Sequence, residues 1–294
     1  MTDTVDKRIA DLPCWDNPVS IEPLSGGMTN LNFKVVDGES SYVVRLGEDD
    51  PIHLISRRNE IASCEAAFAI GVSPELVYHE AGILVVRFVE GQVFSEADVR
   101  NPDNLERILD ILRRFHHEMP THFYQVPVMF WVFQVFRHYH NLLARGDSAH
   151  VVRLPELAQI GRELETAVGP VEIVFGHNDL LAANFIDAGD KLWLIDFDYA
   201  GFNSPLFDLS NLASNNELDE DQEQAMLASY FGVAPNHATL ASYHAMKCAS
   251  LLRETLWSMV SELYSRVEMD FADYTQKNLQ RFDSAYNSYR RHYP

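Results

Sequence analysis

Residues 173–202 place polar side chains at the edges of two apolar, strand-like runs, in the sequence IVFGHNDLLAANFIDAGDKLWLIDFDYAGF. Asp179 ends a His-Asn-Asp triplet, Asn184 follows five residues later, and Asp196 ends the run LWLID. A carboxylate in such a place is costly unless it binds a proton, a cation or another partner. Phosphoryl transfer uses this set, because one carboxylate orients the attacking hydroxyl while an amide and a second carboxylate hold Mg²⁺. For any one of these residues the alternative is a polar turn or a helix cap.

Two features nearer the N-terminus fit the same chemistry. The segment LSGGMTNLNF (24–33) joins two predicted strands, and Gly26 and Gly27 allow its backbone to approach a phosphate, although such a glycine pair is more often an ordinary turn. Arg45 lies in the apolar run SYVVRL, where a buried charge needs a partner, and Glu60 on the next helix is the candidate. A strand Lys and a helix Glu pair in this way in protein kinases. The alternative is an exposed Arg at a strand end.

The elements that must position these residues begin with a small sheet. The predicted strands are LNFKVV, SYVVRL, ELVYHE and GILVVRFVEG, and the Asp-Gly pair between the first two is a hairpin signal. Residues 57–70, RRNEIASCEAAFAI, are rich in helix formers and stop at Gly71. We expect residues 1–91 to form a nucleotide-binding lobe with one helix.

From about Asn101 onward the pattern is helical. The segment NLERILDILRRFHHEM has its apolar residues on one helix face, and Pro120 is expected to end it. Further helices are predicted at 128–145, 154–167, 219–231 and 237–265, with a last one from about Tyr274. We therefore expect an α+β fold with a small antiparallel-sheet lobe and a larger, mainly helical lobe at 92–294, which carries catalysis and substrate binding. The cleft between them is the expected ligand site.

Composition argues against several classes of function. The 294 residues include 23 Lys and Arg against 43 Asp and Glu, a formal charge of −20, which repels nucleic acid and anionic membranes and attracts cations. Solubility is the alternative reason for this charge. Three scattered cysteines are too few for a disulfide framework, and no apolar run resembles a signal peptide or a membrane span. We expect a cytoplasmic monomer or homodimer that neither binds nucleic acid nor inserts into membranes.

The ordered series of motifs resembles one family. LSGGMTNLNFKV is similar to the phosphate loop, HNDLLAANFI to the catalytic loop and LIDFDYAGFNSPLFDLSN to the metal-binding strand of the choline/ethanolamine kinases, a branch of the aminoglycoside-phosphotransferase-like kinases, here in a bacterial form. Matches extend from about residue 22 to 265, and Arg45 stands where that family often replaces the Lys of protein kinases. The resemblance implies a protein-kinase-like fold, with ATP and Mg²⁺ as cofactors.

The resemblance also implies roles for the matched residues. Asp179 would be the catalytic base, Asn184 and Asp196 would bind Mg²⁺, and Asp198, where the family usually has Glu, would reach the metal through water. His177 would be structural.

Asp208 would brace the catalytic loop. The nucleotide would be bound by the phosphate loop, the predicted Arg–Glu pair and the end of a strand, namely Ser25, Gly26, Gly27, Thr29, Asn30, Arg45, Glu60, Arg87 and Val89.

The substrate residues depart from the family pattern. Eukaryotic choline kinases carry an acidic residue seven positions after the loop-bracing Asp, whereas this chain has Asn215, with Glu217 just beyond. Their late Trp-x-x-Trp pair is reduced here to Trp257 in LLRETLWSMVSELYS. Tyr199, Trp257 and Tyr264 would form a cation–π box for a quaternary ammonium, whereas a primary amine would use Glu217 or Asn215. Core packing is the alternative role for Trp257.

Together these features predict a kinase that phosphorylates the hydroxyl of a small cationic amino alcohol, choline or ethanolamine. An aminoglycoside, thiamine or sugar kinase on the same fold is the first alternative. A pseudokinase-like binding protein is the second, and the intact set of Asp179, Asn184 and Asp196 argues against it. Fold alone does not decide between these functions.

Overall fold

The N-terminal part of the chain is a five-stranded antiparallel sheet with helices beside it, in a computed structural model that describes residues 2–24, 30–265, 267 and 269–293. Its elements are α1 (Thr2–Ala10), β1 (Ser20–Leu24), β2 (Leu31–Asp37), β3 (Ser40–Leu46), α2 (Arg57–Ala69), β4 (Leu76–Glu80) and β5 (Ile83–Arg87). The strands lie in the order β1-β2-β3-β5-β4.

The alternation of side chains along β2 and β3 decides which residues face the core. Phe33, Val35, Tyr42 and Val44 are buried on one face together with Ile9 of α1. The intervening positions point to the other face, since successive side chains of a strand alternate. That second face carries Arg45 and turns it toward α2.

The rest of the chain is mainly helical. Its helices are α3 (Glu96–Arg100), α4 (Pro102–His122), α5 (Val132–Arg145), α6 (Leu154–Val168), α7 (Pro205–Asn215), α8 (Glu220–Phe231), α9 (His237–Tyr264) and α10 (Phe271–His292). α9 packs against α5, α6, α7 and α10 and is the central helix of this part. Among the described residues, no helix is long and apolar enough to cross a membrane.

Short strands interrupt the helical part where the polar motifs lie. They are β6 (Gln92–Val93), β7 (Val174–Gly176), β8 (Phe185–Asp187), β9 (Leu192–Leu194) and β10 (Gly201–Asn203). β7 pairs with β10, and β6, β8 and β9 form a second small sheet, all antiparallel. The two small sheets bring the segments around residues 177–184 and 195–199 together.

The expectation of one helix in residues 1–91 is wrong, because α1 also lies there and packs Ile9 against the sheet. The helix predicted at 57–70 is confirmed as Arg57–Ala69, whereas three other helix boundaries differ from the predictions. α5 begins at Val132 rather than at 128, because residues 128–130 bind an edge of β10: the N–H of Phe202 donates to Val128 and the N–H of Phe130 donates to Phe202. α4 continues past Pro120 for two residues, since a proline in the last turn removes the donor for only one carbonyl. The last helix begins at Phe271, three residues before the predicted start.

Candidate active site

The loop after β7 is held by a buried histidine. The Nε2–H of His177 donates to the carbonyl oxygen of Ile195 (3.0 Å), and its Nδ1 accepts from the backbone N–H of Asp179 (3.3 Å). Both bonds together require a neutral ring with its proton on Nε2. Burial lowers the pKa of His177, although the charge of Asp208 opposes this shift. The lowered pKa favours the neutral form of the ring. The ring thus connects the Asp179 loop with the strand end before Asp196.

Asp208, in the first turn of α7, braces the same loop. Its carboxylate accepts hydrogen bonds from the backbone N–H groups of His177 and Asn178, both at 2.7 Å, and lies 2.9 Å from Nε2 of His116. Burial alone would raise the pKa of Asp208, but the hydrogen bond and charge of His116 and the contacts of His177 lower it overall. An ionised carboxylate at a helix N-terminus is also favoured by the helix dipole.

Asn184 and Asp196 come together because their chain segments are paired. The N–H of Ile195 donates to the carbonyl oxygen of Asn184 (3.0 Å), next to the pairing of β8 with β9. Nδ2 of Asn184 donates to the carbonyl oxygen of Asp179 (2.8 Å), which leaves its Oδ1 for another partner. Asp196 has a left-handed backbone (φ 70°), and its side chain is 30% exposed. An amide oxygen and a partly exposed carboxylate on two paired segments fit Mg²⁺, which takes few protein ligands and keeps phosphate and water oxygens.

Arg45 and Glu60 form the ion pair predicted from the sequence. Nη1 of Arg45 lies 2.7 Å from Glu60, 2.9 Å from Asp196 and 3.2 Å from Asp198. Burial alone would lower the pKa of Arg45, but the three carboxylates raise it well above its ordinary value. One guanidinium thus links β3, α2 and the segment after β9.

A second guanidinium, which the sequence analysis missed, belongs to the same group. Nη1 of Arg57 lies 2.6 Å from both Glu60 and Asp198, and its Nη2 donates to Oδ1 of Asn30 (2.6 Å). Asn30 in turn donates to Asp198 (3.0 Å). The run RRNE places Arg57 three residues before Glu60 on one helix face, a spacing that could have identified it. We call Arg45, Arg57, Glu60, Asp196 and Asp198 the arginine–carboxylate cluster.

Two carboxyl groups of the site hold their protons more tightly than usual. Burial and the charge of Asp196 raise the pKa of Asp198 to about 7. Burial also raises the pKa of Asp179 to about 7; the charge of Arg253 opposes this rise, and the charge of Glu254 adds to it. A carboxylate with a pKa near 7 can accept a proton and release it again at neutral pH.

Comparison with known proteins agrees with this geometry. The sequence pattern of the family described as choline/ethanolamine kinase matches residues 21–231. The chain belongs to the choline/ethanolamine kinase family.

Individual relatives cover most of the chain. A probable ethanolamine kinase of Arabidopsis thaliana is 25% identical over 313 residues, 95% of this chain and 81% of the relative. Protein LicA of Haemophilus influenzae is 24% identical over 269 residues, 89% of this chain and 77% of the relative. The crystal structure of a choline/ethanolamine kinase family protein from Mesorhizobium loti has a TM-score of 0.79 at 25% identity and covers 99% of this chain and 97% of that chain. The protein-kinase-like α+β fold is confirmed, and the protein is a phosphotransferase with an alcohol group as acceptor.

In this member of the choline/ethanolamine kinase family, Tyr199 does not offer an open ring face to a ligand. The guanidinium carbon of Arg253 lies 4.5 Å from the ring centroid of Tyr199, and Nε1–H of Trp257 donates to the Tyr199 hydroxyl (3.0 Å). All three residues are buried. The expected box of Tyr199 and Trp257 is therefore not preformed. Arg253 lies one turn before Trp257 on α9, so a residue of the same helix face fills the place expected for the substrate cation.

Trp257 and Tyr264 share a different space. They line a cavity of about 460 Å³ together with His53 and Asp50, and the rings of Trp257 and His53 lie 4.9 Å apart. Tyr199 does not belong to its described lining. The two α9 aromatics are thus neighbours, as their spacing predicted, but they are not arranged around the ring of Tyr199.

Asn215 and Glu217 lie at the C-terminal end of α7. Asn215 is the half-buried last residue of α7, and Glu217 is exposed in the turn that follows. No hydrogen bond or ion pair joins either of them to Asp179 or Arg253 in the described structure. Asn216, between them, donates from Nδ2 to the carbonyl oxygen of Leu180 (3.2 Å), so the end of α7 stays beside the loop that carries Asp179. That Asn215 or Glu217 accepts the substrate amine stays a prediction.

The remaining predicted nucleotide contacts are Arg87, Val89 and four residues of the predicted phosphate loop. Arg87 pairs with Glu75 (3.1 Å) and lies opposite Tyr42 in the sheet. Tyr42 and Arg45 are three residues apart on β3 and point to opposite faces, so the Arg87 side chain faces away from the cluster, which corrects that expectation. Val89 is half-buried in the segment between β5 and β6. Four predicted residues lie outside the described residues: Ser25, Gly26, Gly27 and Thr29.

Proposed function

We propose that this protein transfers the γ-phosphate of ATP to the hydroxyl of a small cationic amino alcohol, with Mg²⁺ as the metal. The observation that carries the proposal is the meeting of Asp179, Asn184 and Asp196 next to the Arg45–Glu60 pair. Phosphoryl transfer needs a proton acceptor, ligands for the metal and a cation for the phosphate oxygens, and residues of these types lie together at that point. In this proposal residues 1–91 bind the nucleotide and residues 92–294 carry catalysis and substrate binding.

The roles follow from the chemistry of each group. Asp179 accepts the proton of the attacking hydroxyl and orients it, which its raised pKa of about 7 favours near neutral pH. Oδ1 of Asn184 and the carboxylate of Asp196 would hold Mg²⁺, which when bound neutralises phosphate charge. Arg45 is close enough to Asp196 to meet phosphate oxygens at the same place. Asp208 and His177 keep the loop in position.

The proposed substrate class rests on two further observations. The relatives include a probable ethanolamine kinase, and the chain carries a formal charge of −20, which favours a cationic substrate over a neutral one. A binding protein without activity would not need the full set of catalytic and metal-binding groups. A sugar or aminoglycoside would need a larger set of hydrogen-bonding partners on the acceptor side.

A screen for coupled ADP release tests the proposal. Purified protein with ATP and MgCl₂ is offered ethanolamine, choline, thiamine, a hexose and an aminoglycoside. We expect ADP release with an amino alcohol only, and loss of that release when EDTA removes the metal. ADP release with thiamine, the sugar or the aminoglycoside alone would contradict the proposed substrate class, and no release with any of them would contradict the activity.

A further inference from the structure

Arg253 and Glu254 are adjacent charged residues in an otherwise buried stretch of α9. Every residue from Cys248 to Ser261 is buried except Glu254, whose side chain is 16% exposed. Glu254 is therefore the point at which this stretch of helix reaches accessible space. A carboxylate at such a position either stabilises the fold or binds a ligand.

The position of Glu254 relative to Asp179 favours a ligand. Nη1 of Arg253 lies 2.7 Å from Oε2 of Glu254 and 3.6 Å from Oδ1 of Asp179. The two carboxylate oxygens are thus no farther apart than the sum of these two distances. A hydroxyl and an ammonium on neighbouring carbon atoms can span such a gap with a hydrogen bond of about 2.8 Å at each end.

Glu254 is held in place and still has acceptor capacity. The hydroxyl of Tyr274 donates to its Oε1 (2.7 Å), and Arg253 donates to its Oε2. An ionised carboxylate offers about four acceptor positions, so two partners leave room for an N–H donor. The same arrangement offers less to a quaternary ammonium, because Arg253 already covers the ring face of Tyr199.

We infer that Glu254 accepts a hydrogen bond from the substrate ammonium and thereby selects amino alcohols with at least one N–H over quaternary ones. The inference rests on the proposed function, since it concerns the acceptor side of the same site. Asp179 binds the hydroxyl end of the substrate and Glu254 the amine end, with Arg253 fixing the spacing between them. A quaternary ammonium has no N–H to donate to Glu254.

A graded set of substrates tests this assignment. Initial rates are measured with ethanolamine, N-methylethanolamine, N,N-dimethylethanolamine and choline. In the wild type, kcat/KM should fall by about tenfold or more at the step to choline, where the last N–H is lost, as expected for a hydrogen bond to a charged group. Glu254→Gln should raise KM about tenfold for the three N–H amines and leave KM for choline and for ATP nearly unchanged. Glu262→Gln, on the same helix but paired with His150 (3.0 Å), is the matched control and should change none of these values.

The outcomes separate this inference from the proposed function. Equal kcat/KM for choline and dimethylethanolamine in the wild type would overturn the inference while the kinase assignment stands, and so would an equal rise of KM for all four substrates in Glu254→Gln. ADP release with none of the four would overturn the proposed function and the inference with it. Glu254→Asp guards against misfolding of the Gln variant: it keeps the charge on a shorter side chain and should retain the preference for N–H amines at a higher KM.

Discussion

At the scale of single residues, the arginine–carboxylate cluster depends on its charge balance. Two guanidinium groups face three carboxylates, and the side chains of Glu60 and Asp198 are only 1% and 7% exposed. Burying such charges is costly, and removing one partner leaves its counter-charge without compensation. Each arginine is therefore expected to matter for stability.

Arg57→Ala should lower the free energy of unfolding by about 3 kcal/mol, because Glu60 and Asp198 would then share Arg45 alone. Urea unfolding without nucleotide measures the loss. Arg58→Ala is the control, since Arg58 donates two exposed hydrogen bonds to Gln125, from Nε (3.0 Å) and from Nη2 (2.6 Å). This variant should cost less than about 1 kcal/mol. Similar losses in the two variants would contradict the role of Arg57.

Asp179→Asn should reduce turnover by about 10²–10⁴-fold, because the amide cannot accept the proton of the attacking hydroxyl. The dissociation constant for the nucleotide should change little, since Asp179 is assigned to the acceptor rather than to ATP. Single-turnover rates and nucleotide titration measure the two effects separately. Asp187→Asn, which alters a carboxylate paired with Arg107 (2.7 Å), is the control and should keep its turnover. Near-normal turnover in Asp179→Asn would show that Asp179 is not the catalytic base.

At the scale of elements, a helix or strand could be predicted from the sequence only where its periodic pattern of apolar residues was long enough. α9 was predicted at 237–265 and is observed at His237–Tyr264. The prediction was accurate because a long helix repeats its pattern of apolar residues over many turns. α7 was missed because nearly all of its residues are buried, so it shows no polar face. β8 and β10 have three residues each, too few for a periodicity.

The same reasoning applies to the site. The spacing of Asp179, Asn184 and Asp196 is local and visible in the sequence. Arg57 meets Asp198 across 141 positions, and Arg253 meets Asp179 through the packing of α9, so neither contact has a local signal. Charged residues inside an apolar run, as in LLRETLW, were the available indication for Arg253.

The loop between β3 and α2 contains a buried histidine whose titration should affect stability. His53 is 5% exposed and packs on Trp257 of α9. Burial lowers the pKa of His53 from 6.5 to about 4. The charge of Asp50 opposes this shift, and the charge of Arg253 adds to it. The unfolded chain therefore takes up a proton near pH 6.5, whereas the folded protein does so only near pH 4. Stability from this group is present above pH 6.5 and is lost as the pH falls through this window.

Between pH 7 and pH 5 the wild type should lose about 2 kcal/mol of unfolding free energy through His53, and His53→Gln should not show this loss. Denaturant unfolding of both proteins at intervals of half a pH unit measures the difference. A stability difference that stays constant between pH 7 and pH 5 would show that His53 does not titrate as its burial requires.

At the scale of the whole molecule, charge and shape act together on the substrate. The chain carries a formal charge of −20, and the site lies where the sheet-bearing part and the helical part meet through the arginine–carboxylate cluster. A cleft in a strongly acidic protein concentrates cations and disfavours anions. ATP and an amino alcohol carry opposite charges, so the field of the protein should act on them in opposite directions.

Raising NaCl from about 0.02 to 0.5 M shortens the Debye length from about 20 Å to about 4 Å and screens this field. We expect kcat/KM for the amino alcohol to fall several-fold over this range at saturating ATP, because attraction of the cation is lost. KM for ATP should stay level or fall, because repulsion of the anion is lost as well. Repeating the series with KCl separates screening from effects of a particular ion. Opposite responses of the two substrates identify a field effect, whereas a parallel decline for both would mean that salt acts on the enzyme itself and that the acidic surface does not steer its substrate.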